Sequence, residues 1–290
     1  MTTLNIIGCG RVGSTLAFLF ARERVFDVQD LFSGTPESAQ RAAAFIGAGH
    51  AAEGPADLRS ADVWLLTPPD DRIETGAQAL AASGLIRAGD VVFHASGALA
   101  SAVLAPLRDR GAAVASLHPL KTFADPARAV QTFAGTPCAA EGDVAALAVL
   151  KPAFERIGAV VFAFDAARKT EYHAASVLAS NDLVALLEAA LRCYAKAGFT
   201  RADALRLMEP LVRETVDNVF RLGPAAALTG PVARGDAAVV ARQRAVLASD
   251  PVLAAIYREL GRVALDLARE QGRAPADALA AVARALDDPP

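Results

Sequence analysis

The first 165 residues alternate short apolar runs with longer amphipathic segments, and this alternation predicts strands and helices in turn. The predicted strands are almost continuously apolar, which is typical of parallel strands that are covered on both faces. They begin at Leu4 and near His50 and span 28–32, 62–67, 90–93, 112–117, 136–140 and 159–164. The pattern therefore indicates an α/β domain with a doubly wound parallel sheet over residues 1–165.

The pattern changes after residue 165, where helices alone are predicted. One long helix, apolar on most faces, is expected at 171–197. Asp250 followed by Pro251 predicts the start of another helix, because Asp caps helices well and Pro suits the first helical position. We therefore expect an all-helical domain at 166–290, with the domain boundary near Asp165.

The first strand runs directly into the turn Gly8-x-Gly10-x-x-Gly13, and an apolar helix follows at once. A dinucleotide-binding fingerprint requires this order of strand, turn and helix. Gly8 permits the tight turn, Gly10 lets the backbone approach a pyrophosphate, and Gly13 lets the helix pack close to the strand. The helix start, at Arg11 and Val12, offers backbone N–H groups to the phosphates. The alternative is a glycine-rich turn in another type of α/β protein.

The end of the second predicted strand bears on which nucleotide is preferred. NAD-specific sites usually place a carboxylate there to bind the ribose 2′-hydroxyl, whereas this chain places Ser33 and Thr35 there. These hydroxyls, with Arg11 or Arg41 supplying charge, suit a 2′-phosphate. Asp30 is the rival carboxylate, but it lies within the strand rather than at its tip. The sequence therefore favours NADP as cofactor, with NAD possible.

Polar residues follow three further predicted strands at their carboxyl ends, where open parallel sheets bind ligands. They are Thr67 with Pro68, His94 with Ser96, and His118 with Lys121. We expect the first pair and Ser96 to border the cofactor, and His94 and Lys121 to contact a substrate. The alternative is that each histidine caps a turn or satisfies a backbone carbonyl.

The long helix carries a polar stripe. Lys169, His173, Ser176 and Ser180 are spaced by 4, 3 and 4 residues and fall on one helix face. Polar side chains on an otherwise apolar helix need partners or water, and a ligand pocket supplies them. Asn181 lies about 100° further round the helix and is a less direct member of the stripe. The alternative is a polar helix start followed by small residues that ease helix packing.

A late loop, Leu228-Thr-Gly-Pro-Val-Ala-Arg-Gly-Asp236, combines a hydroxyl, glycines and a guanidinium. Backbone N–H groups and an arginine together can bind a carboxylate, so Thr229 and Arg234 are expected to hold the substrate. The alternative is a capped connection with Asp236 as N-cap, which leaves the Thr-Gly-Pro segment unexplained.

Composition excludes several classes of protein. The net charge of −3 argues against nucleic acid as the main partner, because proteins that bind nucleic acid usually carry an excess of basic residues. The three cysteines form neither a metal-ligand pattern nor a disulfide framework, which fits a reducing cytoplasm. No apolar run approaches the roughly 18 residues of a membrane span, and the early first strand leaves no room for a signal peptide. We expect a cytoplasmic protein that binds no metal, nucleic acid or membrane.

Several of these motifs together resemble a bacterial family. They are the glycine turn, His94-x-Ser96-Gly97, the segments 116–120 and 172–181, and the loop 228–236. Its members pair a Rossmann-like domain with a C-terminal domain of unknown function, number 2520, and are often labelled NADP oxidoreductases. The layout is more distantly similar to pyrroline-5-carboxylate reductase, prephenate dehydrogenase and 6-phosphogluconate-dehydrogenase-like proteins. This kinship implies a homodimer formed through the C-terminal helices and an active site between the domains.

The chain departs from these relatives at two positions. NADP enzymes of this kin often have Arg where Gly34 stands, and the hydroxyacid dehydrogenases have Lys and Asn where this chain has Lys169 and His173. Their mechanism is therefore not transferred to this sequence.

These observations lead to the hypothesis of an NAD(P)-dependent oxidoreductase that acts on a small, carboxylate-bearing metabolite. His173 is the preferred acid or base, with His118 as its rival, because an imidazole exchanges protons near neutral pH. Ser96 and Lys169 are further catalytic candidates. The alternatives are a nucleotide-binding regulator without turnover and a structural Rossmann domain with a vestigial site.

Overall fold

A computed structural model describes residues 1–287 as eight strands and twelve α-helices joined by turns and short 3₁₀ segments. The strands are β1 (Thr3–Ile7), β2 (Asp27–Phe32), β3 (His50–Ala51), β4 (Val63–Leu66), β5 (Val91–His94), β6 (Ala113–Pro119), β7 (Pro137–Gly142) and β8 (Val160–Ala163). The helices are α1 (Arg11–Arg22), α2 (Pro36–Ile46), α3 (Ile73–Ala82), α4 (Ala105–Arg108), α5 (Pro126–Gln131), α6 (Val144–Arg156), α7 (Lys169–Lys196), α8 (Arg201–Leu222), α9 (Pro224–Ala227), α10 (Ala237–Leu247), α11 (Pro251–Gln271) and α12 (Ala276–Asp287). The predicted class, an α/β sheet followed by helices, is confirmed.

The eight strands form one sheet in the order β3-β2-β1-β4-β5-β6-β7-β8. The chain order reverses between β1 and β4, and the carboxyl ends at such a switch point form the crevice in which open α/β sheets bind ligands. All neighbouring strands are parallel except β6 and β7, which are antiparallel with Ser116 opposite Glu141. The prediction of a wholly parallel sheet is wrong at this pair, because an apolar run reports burial and not strand direction. The chain turns back there, and the Leu120 N–H donates to the Pro137 carbonyl at 2.8 Å.

Two apolar layers cover the faces of the sheet. Leu65 of β4 packs in one layer with α1 and α6, whereas Trp64 packs in the other with α3. Successive strand residues point to opposite faces, so both are buried. In the first layer, Phe154 meets Phe20 and Phe93 edge-on, with ring centroids 5.4 and 5.8 Å apart. This packing makes the sheet a rigid base for the loops at its carboxyl ends.

The chain divides into two compact units. One unit is Met1–Asn181, which holds the sheet and the start of α7, and the second begins at Asp182. The described part of the second unit is helical, with a core that includes Val240, Leu265 and Val282. The boundary predicted near Asp165 lies just after the last strand of the sheet, β8. The division between the two compact units falls later in the chain, after Asn181.

Helix α7 belongs to a helical segment, Ala166–Lys196, that is long and apolar enough to cross a membrane. An 18-residue window within it has a mean hydropathy of 1.5, and 11% of that window is buried. The expectation that no apolar run approaches a membrane span is therefore wrong for this segment. One such helix is weak evidence for a membrane protein, because core helices of water-soluble proteins pass the same test.

Candidate active site

The glycine turn between β1 and α1 has the geometry that its sequence predicts. Gly8 has φ +96°, and a Cβ there would lie 2.3 Å from the Pro68 nitrogen. A Cβ on Gly13 would lie 2.5 Å from the Gly8 carbonyl oxygen, whereas a Cβ on Gly10 meets no described atom within 4 Å. Gly8 and Gly13 therefore serve the packing of the turn. Gly10 instead leaves open surface at the N-terminus of α1, where a pyrophosphate fits.

Thr67 and Pro68 support this turn from the end of β4. The Thr67 hydroxyl donates to the Gly8 carbonyl at 2.7 Å, and the Thr67 N–H donates to the Ile7 carbonyl at 2.7 Å. Both residues line the same cavity as Gly8 and Gly10. The structure thus places Thr67 and Pro68 at the cavity beside the glycine turn, where the Thr67 hydroxyl holds the turn in shape.

The cavity at the switch point has a volume of about 670 Å³, within the usual range for small-molecule sites. Its walls are the glycine turn, the end of β2 at Ser33 and Gly34, and the segment after β4 that includes Arg72. Sequence reasoning missed Arg72, although it follows the strand end at 67–70. The residues present fit a dinucleotide in type and placement.

The tip of β2 carries hydroxyls and no carboxylate. The Ser33 hydroxyl lies 3.2 Å from that of Ser38, and the Thr35 hydroxyl accepts the Ser38 N–H as the N-cap of α2. Asp30, the rival carboxylate, is fully buried and bonded to Arg59 through the backbone N–H at 2.8 Å and Nη2 at 2.6 Å. The Asp30 carboxylate is thus already bound by Arg59. The Thr35 side chain caps α2.

His94 at the end of β5 has protein partners on both ring nitrogens. Nδ1 accepts the Ser96 N–H at 3.2 Å, and Nε2 lies 3.3 Å from the Ala100 carbonyl. The ring has no exposed surface, and burial lowers the pKa of His94 to about 4. The substrate contact expected of His94 is therefore corrected: this histidine satisfies turn backbone, as the alternative interpretation held.

The Ser96 hydroxyl is also fully engaged. It donates to Asp70 Oδ2 at 2.8 Å and accepts the N–H groups of Ala98 and Leu99 at 3.1 Å each. One donor and two acceptor sites exhaust a hydroxyl. Ser96 therefore joins the loop after β5 to the loop after β4, and the catalytic and cofactor-contacting roles expected of it stay predictions.

Two imidazoles converge on Gly97, directly after Ser96. A Cβ placed on Gly97 would lie 2.6 Å from His173 Nδ1 and 2.9 Å from His118 Nε2. His173 Nδ1 is buried and has no hydrogen-bond partner in the described chain. An unpartnered buried polar atom is costly, which makes this nitrogen a candidate for contact with a ligand. The two histidines around Gly97 form the candidate catalytic pair.

The other nitrogen of His118 is tied to a residue that sequence reasoning did not single out. Nδ1 lies 2.7 Å from the Tyr172 hydroxyl. Burial, followed by the charge of Lys169, lowers the pKa of His118 to about 4, and burial raises the pKa of Tyr172 to about 12. Both groups are therefore neutral at physiological pH. The sequence placed Tyr172 next to His173 but offered no sign of this pairing.

The low pKa values of His94 and His118 predict a pH-dependent stability. An unfolded histidine titrates near pH 6.5, so between about pH 6.5 and 4 the unfolded chain binds more protons than the folded chain. The stabilisation is fully present above about pH 6.5 and is lost as the pH falls towards 4, by on the order of 2–3 kcal/mol for each histidine.

Fluorescence of Trp64, the single tryptophan, measures this loss, because it lies buried in β4 and reports the unfolding of the first unit. The urea midpoint should fall between pH 7 and pH 4.5, and His94→Gln should reduce that fall by about half. His50→Gln, which removes an exposed histidine, should leave it unchanged. A fall of equal size in His94→Gln would contradict the assignment.

Lys169 lies at the start of α7 and is 3% exposed. Its Nζ donates to the Ser116 hydroxyl at 2.8 Å. Burial lowers the pKa of Lys169, and the charge of Glu141 partly offsets the shift. Glu141 is buried and accepts the backbone N–H and hydroxyl of Ser101 at 2.7 Å each. Lys169 therefore anchors α7 to β6, and its proposed catalytic role rests on its nearness to the histidines.

The rest of the polar stripe does not converge on this site. The Ser176 and Ser180 hydroxyls donate to the carbonyls of Tyr172 and Ser176 on their own helix, and Asn181 is exposed beside Ser180. Only Lys169 and His173 of the stripe approach Ser116 and Gly97, and the substrate contacts expected of Ser176 and Asn181 stay predictions.

Lys121 likewise points to a helix end. Its Nζ donates to the Thr132 carbonyl at 2.8 Å, at the C-terminus of α5. A cation there satisfies an unpaired carbonyl and interacts favourably with the helix dipole. Lys121 thus has a capping role, and the substrate contact expected of it stays a prediction.

The late loop lies in the second unit. Thr229 and Arg234 are exposed, and Asp236 accepts the Val239 N–H as the N-cap of α10. A Cβ on Gly235 would lie 2.7 Å from the Ala278 Cβ, so close packing requires that glycine. The capped-connection alternative accounts for Gly235 and Asp236, and substrate binding by Thr229 and Arg234 stays a prediction. Residues 1–287 contain no cluster of three or more metal-ligating side chains.

A glycine fingerprint at the switch point of a mostly parallel sheet defines the class of Rossmann-like proteins. The Rossmann-like domain family matches residues 2–119, and the Domain of unknown function DUF2520 matches residues 136–264. The chain thus combines a Rossmann-like domain with a DUF2520 domain, as the sequence motifs predicted. A search of curated proteins finds no match.

Solved structures share this fold over nearly the whole chain. Protein TM1727 from Thermotoga maritima is 28% identical with a TM-score of 0.73, covering 93% of this chain and 100% of its own. A reductive aminase from Aspergillus terreus, in complex with NADPH and ethyl-5-oxohexanoate, is 16% identical, with a TM-score of 0.61 and coverage of 99% and 93%. A pyrroline-5-carboxylate reductase from Coxiella burnetii is 12% identical, with a TM-score of 0.58 and coverage of 93% and 98%.

Proposed function

We propose that this protein is an NAD(P)-dependent oxidoreductase that acts on a small, carboxylate-bearing metabolite. The observation that carries the proposal is the buried, unpartnered Nδ1 of His173, which faces Gly97 together with His118 Nε2. Ser96, the neighbour of Gly97, donates a hydrogen bond to Asp70. Asp70 belongs to the segment after β4 that lines the proposed nucleotide cavity. A proton-exchanging pair beside a dinucleotide cavity is the arrangement that hydride chemistry requires.

The cofactor is proposed to be NADP. The Aspergillus terreus enzyme of the same fold is in complex with NADPH, which supports a nicotinamide dinucleotide here. Ser33 and Gly34 line the cavity where an NAD site would carry a carboxylate, and Arg72 lines it as well. Asp30 is already paired with Arg59. These features favour a 2′-phosphate over a 2′-hydroxyl.

The bound cofactor would supply the hydride, and the protein would supply binding, orientation and proton transfer. Gly10 and the N-terminus of α1 would hold the pyrophosphate. His173 would exchange the substrate proton, because its Nδ1 has no hydrogen-bond partner in the part of the chain that the structure describes. His118 would contact the same reacting atom through Nε2. Thr229 and Arg234 remain the candidates for the substrate carboxylate.

The test is NADPH oxidation, followed by its ultraviolet absorbance, with panels of oxo acids, imino acids and their esters. We expect turnover with at least one compound, and we expect His173→Ala to remove it. Binding of NADPH without oxidation across both panels would contradict the enzyme and favour a regulator that senses the nucleotide.

We also propose a homodimer formed through the C-terminal helices. Apolar side chains of α7 and α8 are exposed in the single chain, including Leu178 at 67%, Val184 at 69% and Phe220 at 87%. Large exposed apolar patches mark interaction surfaces, and a second copy of a chain is the commonest partner.

The three cysteines are free, which supports the proposed cytoplasmic location.

Light scattering after size exclusion should give the mass of two chains. Val184→Glu should shift the protein towards one chain, because a charge would then be buried in the interface. Glu155→Lys changes an exposed charge paired with Lys151 on α6, outside the C-terminal helices, and serves as control, with no shift expected. A wild-type mass of one chain at micromolar concentration would contradict the dimer.

A further inference from the structure

We infer that Tyr172 is a positioning residue that places the proton of His118 on Nε2, the ring nitrogen that lies against Gly97. This inference rests on the proposed function: with the proton on Nε2, His118 is a hydrogen-bond donor, so the site selects substrates whose reacting atom accepts a hydrogen bond. The shared chemistry is a polarised double bond to carbon, either a carbonyl C=O or an imine C=N. The inference therefore names both a residue and a substrate class.

The geometry fixes the two rings against each other. The Tyr172 hydroxyl is 2.7 Å from His118 Nδ1, and the rings meet edge to face with centroids 5.7 Å apart. Phe164 packs against the Tyr172 ring at 5.0 Å. Tyr172 lies in the first turn of α7, where the bond from Lys169 to Ser116 holds the helix start on the sheet. The phenol is thus held on one nitrogen of His118.

The direction of this hydrogen bond follows from acid and base strength. A phenol is a stronger acid than a neutral imidazole N–H, and an imidazole nitrogen is a stronger acceptor than a phenol oxygen. Tyr172 therefore donates and Nδ1 accepts. Burial holds both groups neutral at physiological pH. A neutral imidazole carries one proton, and it must then lie on Nε2.

The consequence appears on the opposite side of the ring. Nε2 lies 2.9 Å from the position of a Cβ on Gly97, and His173 Nδ1 lies 2.6 Å from the same point. Both nitrogens therefore lie close against Gly97, and a carbonyl oxygen or imine nitrogen that reaches Nε2 would accept its proton. A bound reduced dinucleotide would supply a hydride to the carbon of that double bond, whose electron pair would pass to the heteroatom. The His118 N–H would stabilise the resulting charge, and His173 would give the heteroatom its proton.

The test is a long-range ¹H–¹⁵N correlation spectrum of the full-length, ¹⁵N-labelled protein at neutral pH. The chain has four histidines, and His118→Gln assigns the resonances of His118. The wild type should show a protonated Nε2 and an acceptor Nδ1. Tyr172→Phe should move the ring towards a mixture of tautomers. Tyr194→Phe, whose ring packs on Phe199, should leave the spectrum unchanged.

A wild-type spectrum with the proton on Nδ1 would overturn the inference, even if Tyr172→Phe failed to fold. So would an unchanged tautomer in a folded Tyr172→Phe variant. Because the spectrum requires no turnover, it is independent of the proposed function. A protonated Nε2 in a protein that never oxidises NADPH would defeat the proposed function and leave the positioning role standing.

Kinetics then test the substrate class, with ethyl levulinate as the ketone and 2-methyl-1-pyrroline as the imine. NADPH-dependent reduction of one or both supports a double-bond acceptor, and their ratio distinguishes C=O from C=N. Tyr172→Phe should lower kcat about tenfold with KM almost unchanged, because the N–H bond strengthens as charge develops. NADPH-dependent reduction of an activated C=C bond, with neither probe reduced, would overturn the substrate class.

Discussion

Replacing His173 with alanine is expected to lower turnover by about 10²- to 10⁴-fold, the range that a positioned acid or base contributes. His173 Nδ1 is buried without a hydrogen-bond partner among residues 1–287, and the proposed function supplies one, the reacting atom of the substrate. The affinity for NADPH should stay within about twofold, because the pyrophosphate would be held at the β1–α1 turn. Steady-state kinetics and calorimetry on the same preparation measure both quantities.

His50→Ala is the matched control for this variant. His50 lies on β3, its side chain is 64% exposed, and it is 3.9 Å from Asp30. Its loss should leave turnover unchanged. Wild-type turnover in His173→Ala would remove His173 from the mechanism and leave His118 as the acid or base. Loss of NADPH binding in His173→Ala would instead show a structural role for the side chain.

Replacing Gly10 with alanine is expected to weaken NADPH binding at least tenfold, or about 1.4 kcal/mol, without loss of fold stability. A Cβ on Gly10 meets no described atom within 4 Å, and its φ of −73° suits any residue. The new methyl group would therefore occupy only the space that a pyrophosphate needs at the start of α1. Calorimetry and the urea midpoint of Trp64 fluorescence measure the two effects separately.

Two other glycine variants separate an effect on binding from an effect on stability. Gly54→Ala is the control, because Gly54 also has negative φ and open surroundings but lies outside the cavity. It should change neither binding nor stability. Gly13→Ala should destabilise the first unit, since its Cβ would lie 2.5 Å from the Gly8 carbonyl oxygen. Unchanged NADPH affinity in Gly10→Ala would place the dinucleotide elsewhere or make the fingerprint vestigial.

The fingerprint was predictable from sequence because its geometry is local. One turn contains all three glycines, Gly8, Gly10 and Gly13. The residues next to them predict the strand before the turn and the helix after it. The same holds for the caps at Asp250 and Asp236, whose side chains bond N–H groups two or three residues away. The long helix of the second half was also predictable, since its apolar run is continuous.

The partners of the polar side chains were not predictable, because they come from distant parts of the chain. Tyr172 and His118 are 54 residues apart, and Ser96 and Asp70 are 26 apart. The antiparallel pairing of β6 with β7 sets Glu141 opposite Ser116, close to the anchor of Lys169. No apolar pattern reports strand direction, so Glu141 gave no sign of its place. Residue type alone therefore could not separate His173 from His94.

Calorimetric titration of the full-length protein with NADPH and NADH in parallel tests the central claim most directly. Saturable binding of NADPH, tighter than that of NADH, is the predicted result, because β2 ends in Ser33 and Gly34 and Asp30 is paired with Arg59. Tighter binding of NADH would reverse the cofactor preference. Binding of neither nucleotide would contradict an NAD(P)-dependent oxidoreductase.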